Sequence, residues 1–169
     1  MSNDYRQKAG LKMAIEETDL THAIAKWSEG IIAISATYEE KGIERATVIA
    51  SEMLDKLYGF EFGPILFKPT LSGGEQTFRT TKQGALSYFV GHNPNYPSDI
   101  GFGIKFWREV KSQTSAIMID QTVAMWMGWV MFTDKKGNTV KVDKSFAFKR
   151  AETGDLKIVM HHSSLPYEA

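Results

Sequence analysis

The stretch Leu156-Lys-Ile-Val-Met-His-His-Ser-Ser-Leu-Pro166 closes the last third of the chain, where apolar segments alternate with short turn signals. Apolar and β-branched residues predict four strands, over residues 105–119, 122–133, 139–150 and 156–163. The polar segments between these strands are short enough for hairpin turns. The last third of the chain therefore predicts a meander of antiparallel strands.

Helical periodicity dominates the region before this sheet. Apolar residues recur at spacings of three and four from an N-cap at Asp19 or Thr21 to a stop at Gly42, and again from Ile43 to a stop at Gly59. The pattern predicts two amphipathic helices, each with one apolar face. Both faces should pack on a common surface.

The middle of the chain carries shorter signals. Residues 64–69 and 76–80 are predicted to pair as a hairpin, and a third helix should follow and end at Gly91. Residues 91–103 are dense in glycine and proline, which indicates either a lid or binding element or a packed surface loop. Helices gathered on one face of an antiparallel sheet define an α+β fold.

Composition limits the function classes. The chain has 169 residues, which suits one sizeable core, and we expect an N-terminal arm over residues 1–18 and a single domain over residues 19–169. Twenty basic and twenty acidic residues cancel, so no overall field favours nucleic acid or an anionic membrane. No cysteine is present, and no apolar run approaches a membrane span of about 20 residues. We expect a cytoplasmic protein that binds neither nucleic acid nor membrane.

The predicted strand over residues 122–133 is apolar on both of its faces. An antiparallel strand with one solvated face should instead alternate apolar and polar residues. Helices can cover one face, and a second subunit is the simplest cover for the other. The pattern predicts a homodimer through the sheet face; the alternative is cover by the N-terminal arm or by loops of the same chain.

Lys144 lies in the apolar register of its strand, on the face that also carries Val140, Val142, Phe146 and Phe148. A cation is costly to bury unless it is paired or beside water. Lys144 therefore predicts a wet cavity, a bulge that changes the register, or an ion pair with one of three acids, which are Glu52, Asp55 and Glu61.

His161 and His162 are neighbours on a predicted strand, so their side chains point to opposite faces and cannot act together. Simple alternation places His162 on the same face as Ile158, which we take as the inner face. An inward imidazole can serve as a general base, as a hydrogen-bond donor, or as a structural link to the backbone.

The order of elements and the closing stretch resemble the nuclear transport factor 2-like superfamily, with the SnoaL-like proteins and the association domain of calcium/calmodulin-dependent kinase II as the closest families. Their last strand commonly reads aromatic, any, aliphatic, aliphatic, any, any, His, Ser or Arg, Ser. His162 and Ser164 match this motif, whereas Leu156 replaces the usual Trp and Met160 replaces a frequent first His. The resemblance spans about residues 20–166.

The resemblance implies a cone-shaped, curved antiparallel sheet that wraps the helices and leaves a pocket at its wide end. Homodimers are frequent in the superfamily, which hosts isomerases, dehydratases, cyclases and non-catalytic assembly domains. We therefore predict a pocket protein of the SnoaL-like type for a small apolar or aromatic ligand, with cofactor-independent isomerase, dehydratase or cyclase chemistry. The alternative is a non-catalytic, homo-oligomerising interaction module.

Six residues are candidates for the ligand site. Cations can bind an anionic or carbonyl-bearing ligand, an inward His can hold a polar group, and aromatic residues can stack on a ring. The candidates are Lys144, His162, Tyr88, Trp107, Trp126 and Arg79. The helix end around Asp55, Tyr58 and Glu61 supplies acid–base groups in some members of the superfamily. No metal-ligand spacing is visible, and no cofactor is expected.

Overall fold

The computed structural model of the chain describes residues 14–169. Two helices, α1 (Glu17–Leu57) and α2 (Lys82–Val90), precede the main part of one sheet. The strands are β1 (Leu66–Lys68), β2 (Trp107–Asp120), β3 (Val123–Asp134), β4 (Thr139–Arg150) and β5 (Leu156–Ser164). Their order across the sheet is β1-β5-β4-β3-β2, which confirms the α+β class and the predicted meander.

Helix α1 is two helical segments joined at Gly42, as the sequence predicts. Gly42 has φ 77° and ψ −174°, a backbone conformation that interrupts the helix and that glycine adopts without steric cost. The helix begins one turn earlier than predicted, because Asp19 is not the N-cap. The Asp19 carboxylate instead accepts the backbone N–H of Glu16 at 2.9 Å, which forms a capping box around the first turn.

The predicted N-terminal arm lies mostly outside the described residues. Within them, Ile15 is buried, and its backbone N–H donates to the carbonyl of Gln121 at 2.8 Å. This contact ties the entry to α1 to the turn between β2 and β3. Neither described helix has an apolar stretch of the length that crossing a membrane requires.

The predicted hairpin between residues 64–69 and 76–80 is wrong. Residues 77–80 form no strand, and β1 pairs in parallel with β5, with Phe67 opposite His161. Within residues 64–80, isolated backbone hydrogen bonds remain. One of them joins the N–H of Arg79 to the carbonyl of Phe67 at 2.8 Å. The edge of β5 provides the ladder that a local hairpin would have supplied, so the sheet is mixed rather than wholly antiparallel.

The two faces of β3 meet different environments. Its inner residues Ala124, Trp126, Val130 and Phe132 are fully or almost fully buried in the core under α1. On the outer face Met125 and Met127 remain 38% and 56% exposed. Residues 14–169 of the same chain therefore leave the outer apolar face open, as the two-sided pattern of this strand indicated.

Candidate functional site

A line of four buried polar side chains crosses the core from α1 to the sheet, and we call it the polar line. The indole Nε1–H of Trp27 donates to the Tyr58 hydroxyl at 3.0 Å. The same hydroxyl lies 2.9 Å from Nδ1 of His161, and Nε2 of His161 lies 2.9 Å from Nζ of Lys144. None of the four residues is more than 3% exposed. Buried polar groups are retained in a core when they are paired in this way.

A β-bulge decides which histidine faces inward. Ala147 pairs with Met160 and Phe148 pairs with Ile158, so β5 has one extra residue at Val159. Ile158 and His161 therefore share the inner face although three positions separate them. The prediction that His162 faces inward is wrong: His162 is exposed on the outer face, and His161 is 1% exposed within the core.

Lys144 faces inward from β4, as its register predicts. It is 3% exposed, and its Nζ lies 4.9 Å from the centre of the Trp27 ring. The three acids considered as partners lie elsewhere: Glu52 and Glu61 are exposed, and Asp55 pairs with Lys82 at 2.7 Å. Burial lowers the pKa of Lys144 to about 7. Lys144 is thus held by an imidazole and aromatic rings instead of a carboxylate.

Three hydroxyl side chains meet beside the polar line, and we call them the hydroxyl cluster: Thr70, Tyr88 and Ser163. Thr70 Oγ1 and Ser163 Oγ are 2.6 Å apart, and both residues are buried. Ser163 faces inward two positions after His161 on β5. Lys68 adds a positive charge at this point, because its Nζ donates to the backbone carbonyl of Ser163 at 2.9 Å.

The Tyr88 hydroxyl is the unusual member of the hydroxyl cluster. It is shut off from solvent, and no described residue gives it a hydrogen bond of acceptable geometry. Burial raises the pKa of Tyr88 to about 12, against a smaller opposing effect of the Thr70 hydroxyl and nearby backbone amides. Leaving a buried hydroxyl unpaired is costly, so such a group in a folded protein needs an explanation. A small polar ligand supplies one.

Aromatic rings join the hydroxyl cluster to the polar line. The Phe67 ring stacks on His161 with centroids 4.6 Å apart and meets Tyr88 edge-on at 5.9 Å. Phe102 also stacks on Tyr88, with the ring centroids 5.7 Å apart. The hydroxyl groups are therefore set among apolar walls, where water competes weakly for their hydrogen bonds.

The tryptophan candidates have mainly structural contacts. The Trp107 indole N–H donates to the carbonyl of Phe102 at 2.6 Å, and the Trp126 N–H donates to Thr114 Oγ1 at 2.8 Å. Both side chains are buried, and their only polar atom is already bonded. Trp107 supports the Phe102 wall of the hydroxyl cluster, whereas Trp126 packs on Phe146.

Arg79 is buried and does not lie in a strand, in contrast to the predicted strand over residues 76–80. Its guanidinium forms two hydrogen bonds with the Asp99 carboxylate, at 2.6 and 2.8 Å, and others with the carbonyls of Gln76 and Gly84. Ser87 donates to the same carboxylate at 2.6 Å. This pairing fastens part of the glycine- and proline-rich loop to α2, which favours the packed interpretation of that loop. Arg79 is engaged there and does not reach the hydroxyl cluster.

A groove of about 730 Å³ lies away from these groups. Segments of α1 and the turn between β4 and β5 line it, with both acidic and basic side chains. It includes no member of the hydroxyl cluster or the polar line. Within residues 14–169 no group of three or more His, Asp or Glu side chains is arranged to hold a metal ion.

Sequence reasoning identified Tyr88 and Lys144 as site candidates and noted Tyr58, but it missed His161, Thr70 and Ser163. The bulge in β5 has no local sequence signal, so alternation selected the wrong histidine. Thr70 and Ser163 are 93 positions apart and meet only because β1 pairs with β5. Thr70 and Ser163 could have been recognised as neighbours only if the pairing of β1 with β5 had been predicted in place of the local hairpin.

The fold is that of the nuclear transport factor 2-like proteins, which confirms the fold that the sequence predicts. A nuclear transport factor 2-like protein from Salmonella enterica superposes with a TM-score of 0.51 at 12% identity, covering 90% of this chain and 92% of that chain. A Xanthomonas campestris protein named for the calcium/calmodulin-dependent protein kinase II association domain gives a TM-score of 0.59 at 18% identity, covering 92% and 91%. Similarities at these identities concern the fold alone.

The chain belongs to the metal-independent carbonic anhydrase family, whose model matches residues 18–165. The metal-independent carbonic anhydrase of Nostoc sp. strain PCC 7120 is 46% identical over 155 residues, which are 92% of this chain and 76% of that protein. A cyanobacterial iota-carbonic anhydrase crystallised with bicarbonate has a TM-score of 0.92 at 46% identity, covering 93% of this chain and 96% of that chain.

Proposed function

We propose that this protein interconverts carbon dioxide and bicarbonate at the hydroxyl cluster. The observation that carries the proposal is the buried Tyr88 hydroxyl, which has no hydrogen bond of acceptable geometry to any described residue and lies near the hydroxyl pair of Thr70 and Ser163. The similarity to a carbonic anhydrase crystallised with bicarbonate supports it. The sequence predicted a small-molecule pocket with isomerase, dehydratase or cyclase chemistry. The hydration of carbon dioxide is a different and more narrowly defined reaction.

The hydroxyl cluster suits the hydrogen-bonding demands of bicarbonate. The anion presents oxygen acceptors and one O–H donor, and a hydroxyl side chain can donate and accept. The pKa of Tyr88, raised to about 12 by burial, keeps its phenol protonated at neutral pH. Tyr88 therefore acts as a donor, while Thr70 and Ser163 can turn their protons to match the ligand.

The surroundings of the hydroxyl cluster suit both reaction partners. Carbon dioxide is apolar, and the rings of Phe67 and Phe102 both contact Tyr88. Bicarbonate is an anion, and the Lys68 ammonium beside Ser163 favours negative charge at this place. Hydroxyl donors placed among apolar walls stabilise the charge that develops as water adds to carbon dioxide.

The test is stopped-flow measurement of carbon dioxide hydration by the purified chain, with and without prior treatment with a chelator. We expect hydration faster than the buffer background, and equal rates in the two preparations. A rate equal to the background throughout the neutral and alkaline range would contradict the proposed reaction.

Ser163→Ala should lower kcat/KM for hydration about tenfold, the effect of losing one hydrogen bond of about 1.4 kcal/mol. The loss is moderate because Thr70 remains to bind the ligand. Ser28→Ala is the matched control, since Ser28 is also buried but donates only to the carbonyl of Ile24 in its own helix. Equal activity of the two variants would exclude Ser163 from the site.

The outer face of the sheet is the contact surface of a homodimer in this proposal. One row of cross-strand neighbours runs through all five strands and is apolar throughout: Leu66, Met160, Ala147, Met125 and Met118. Four strand spacings make this row about 19 Å wide. Leu66 and Met118 are 63% and 55% exposed in the single chain, a pattern typical of a surface that a second copy covers.

Met127→Lys should halve the mass measured by light scattering coupled to size-exclusion chromatography. Met127 lies on the outer face two positions after Met125, and a lysine there would be buried without a partner in both copies. Val48→Lys is the control, because Val48 is 41% exposed on α1, away from the sheet. A wild-type protein that is already monomeric at micromolar concentration would rule out this interface.

A further inference from the structure

Trp27 sets the direction of the hydrogen bonds along the polar line. An indole N–H can only donate, so it occupies one lone pair of the Tyr58 oxygen, 3.0 Å away. The Tyr58 proton then needs an acceptor, and Nδ1 of His161 lies 2.9 Å from the hydroxyl oxygen. Burial raises the pKa of Tyr58, so this proton stays on the phenol. Nδ1 of His161 is therefore assigned as the acceptor of the Tyr58 hydroxyl.

The direction set by Trp27 extends to Lys144. Burial, with a smaller effect of Lys144, holds the pKa of His161 well below its ordinary value, so the imidazole is neutral. A neutral imidazole that accepts at Nδ1 carries its proton on Nε2. That N–H faces Nζ of Lys144 at 2.9 Å. An ammonium group has no lone pair, so Lys144 can accept this hydrogen bond only as a neutral amine.

The opposite direction is unfavourable. If Lys144 were an ammonium donating to Nε2, the His161 proton would move to Nδ1 and point at the Tyr58 oxygen. Tyr58 would then receive two donors, and no described acceptor would remain for its own proton. An unpaired hydroxyl in a core costs its full desolvation penalty.

The other groups around Lys144 do not replace the hydration that burial removes from a positive charge. The rings of Trp27 from α1 and Phe132 from β3 lie 4.9 and 5.8 Å from Nζ, and they supply only weak attraction. Asp143, which lies on β4 next to Lys144, favours the charge, and Lys68 from β1 opposes it to a smaller extent. The Asp143 carboxylate, however, accepts a hydrogen bond from Ser164 at 2.7 Å and forms no ion pair with Lys144.

We propose that Lys144 is the proton acceptor of the hydration reaction, held as a neutral amine by the polar line; this inference rests on the proposed function. Lys144 and Ser163 are direct partners in the ladder between β4 and β5, which places Lys144 next to one member of the hydroxyl cluster. Water adds to carbon dioxide through a new C–O bond, and the proton released by that water passes to Nζ. The products are bicarbonate and the Lys144 ammonium.

The same hydrogen bonds return the site to its starting state. Once Lys144 is an ammonium, the N–H of His161 faces a donor and loses its acceptor. The charged form is therefore destabilised, and it gives its proton to solvent buffer when bicarbonate leaves. A proton acceptor works best when its pKa lies near the working pH, and the pKa of Lys144, lowered by burial to about 7, meets this condition.

The charge of Lys144 can be measured without any assay of activity. In protein labelled with ¹⁵N and ¹³C in lysine, the Nζ and Cε resonances of one lysine should titrate near neutral pH, and this signal should be missing from Lys144→Met. A wild-type protein in which every lysine stays protonated up to about pH 9, close to the ordinary lysine value, would overturn the proposal. This wild-type experiment is decisive even if the variant does not fold.

Proton uptake on unfolding gives a second measurement of the same charge. The folded pKa of Lys144 is depressed, so between about pH 7 and pH 10 the unfolded chain binds one proton more at this residue. This difference makes stability rise with pH in that window. Lys144→Met should remove it and show a shallower rise than wild type. Lys141→Met, on the exposed face of the same strand, should keep the wild-type slope.

Kinetics then test the role of Lys144 in the reaction. Lys144→Met should lower kcat about 100-fold at low buffer concentration, a typical effect of losing a general base. Added imidazole should restore part of kcat, because it takes the proton in place of Lys144, and KM should change little. Wild-type kcat in Lys144→Met at low buffer would overturn the proposal. A wild-type chain without hydration activity would refute the proposed function instead, while the lysine titration would still report on Lys144.

Discussion

Tyr88→Phe is expected to lower kcat/KM for carbon dioxide hydration by about 10²- to 10³-fold, the effect of removing one donor from a preorganised anion site. The same change should leave the free energy of unfolding unchanged or raise it slightly. Its hydroxyl is buried and makes no hydrogen bond of acceptable geometry within residues 14–169, so its removal costs little and relieves a poorly paired polar group. Loss of activity together with retained stability is the signature of a group that is reserved for a ligand.

Tyr58→Phe is the matched control for this prediction. Tyr58 is equally buried, but its hydroxyl is bonded to both Trp27 and His161. Its loss should therefore lower the stability by about 1–3 kcal/mol, because two buried partners are left unpaired. Urea unfolding of both variants measures the contrast. If Tyr88→Phe proved the less stable of the two, the Tyr88 hydroxyl would have a structural partner and no vacant hydrogen bond for a ligand.

Arg79→Met is expected to destabilise the fold by about 3–5 kcal/mol, the cost of leaving a buried partner charge unpaired. The side chains of Arg79 and Asp99 are 2% and 4% exposed, so solvent cannot take over the carboxylate when the guanidinium is removed. Unfolding by urea, followed by circular dichroism, measures the change. We expect an effect on stability because Arg79 does not contact the ligand. It anchors the loop that contains Phe102.

Lys82→Met is the comparison for Arg79→Met. Lys82 pairs with Asp55 at 2.7 Å, and the two side chains are 37% and 61% exposed. An exposed pair of this kind contributes about 0–1 kcal/mol, so this variant should unfold almost like wild type. If Arg79→Met and Lys82→Met unfolded at the same urea concentration, the buried ion pair would contribute no more to stability than the exposed one.

Most of the fold could be predicted from the periodicity of apolar residues. The three-and-four spacing of apolar residues predicted both segments of α1 and the break at Gly42, because a helix with one buried face needs this pattern. Alternation predicted the inward position of Lys144, because β3 and β4 pair without a shift along their length. It also indicated that β3 is apolar on its outer face as well as on its inner face. Each of these conclusions depends on local geometry, which neighbouring residues specify.

The errors came from contacts between distant parts of the chain. Alternation gave the wrong orientation for His162 because β5 has a bulge. The bulge arises from the pairing of β5 with β4, and the local sequence of β5 does not indicate it. The hairpin failed because β1 found a parallel partner about 90 positions later in the sequence. A free strand edge can satisfy backbone groups as well as a local turn can, and local sequence does not tell which of them is available.

The sequence by itself determined the α+β class, the nuclear transport factor 2-like fold, and the presence of a cation in an apolar register. Only the tertiary structure decided what surrounds that cation and which hydroxyl groups meet. Lys144 is bonded to His161 because a bulge turns that imidazole inward, and Thr70 reaches Ser163 because β1 lies beside β5. The physical reason is that a site depends on distances between side chains that are far apart in the chain, and the packing of whole elements sets these distances.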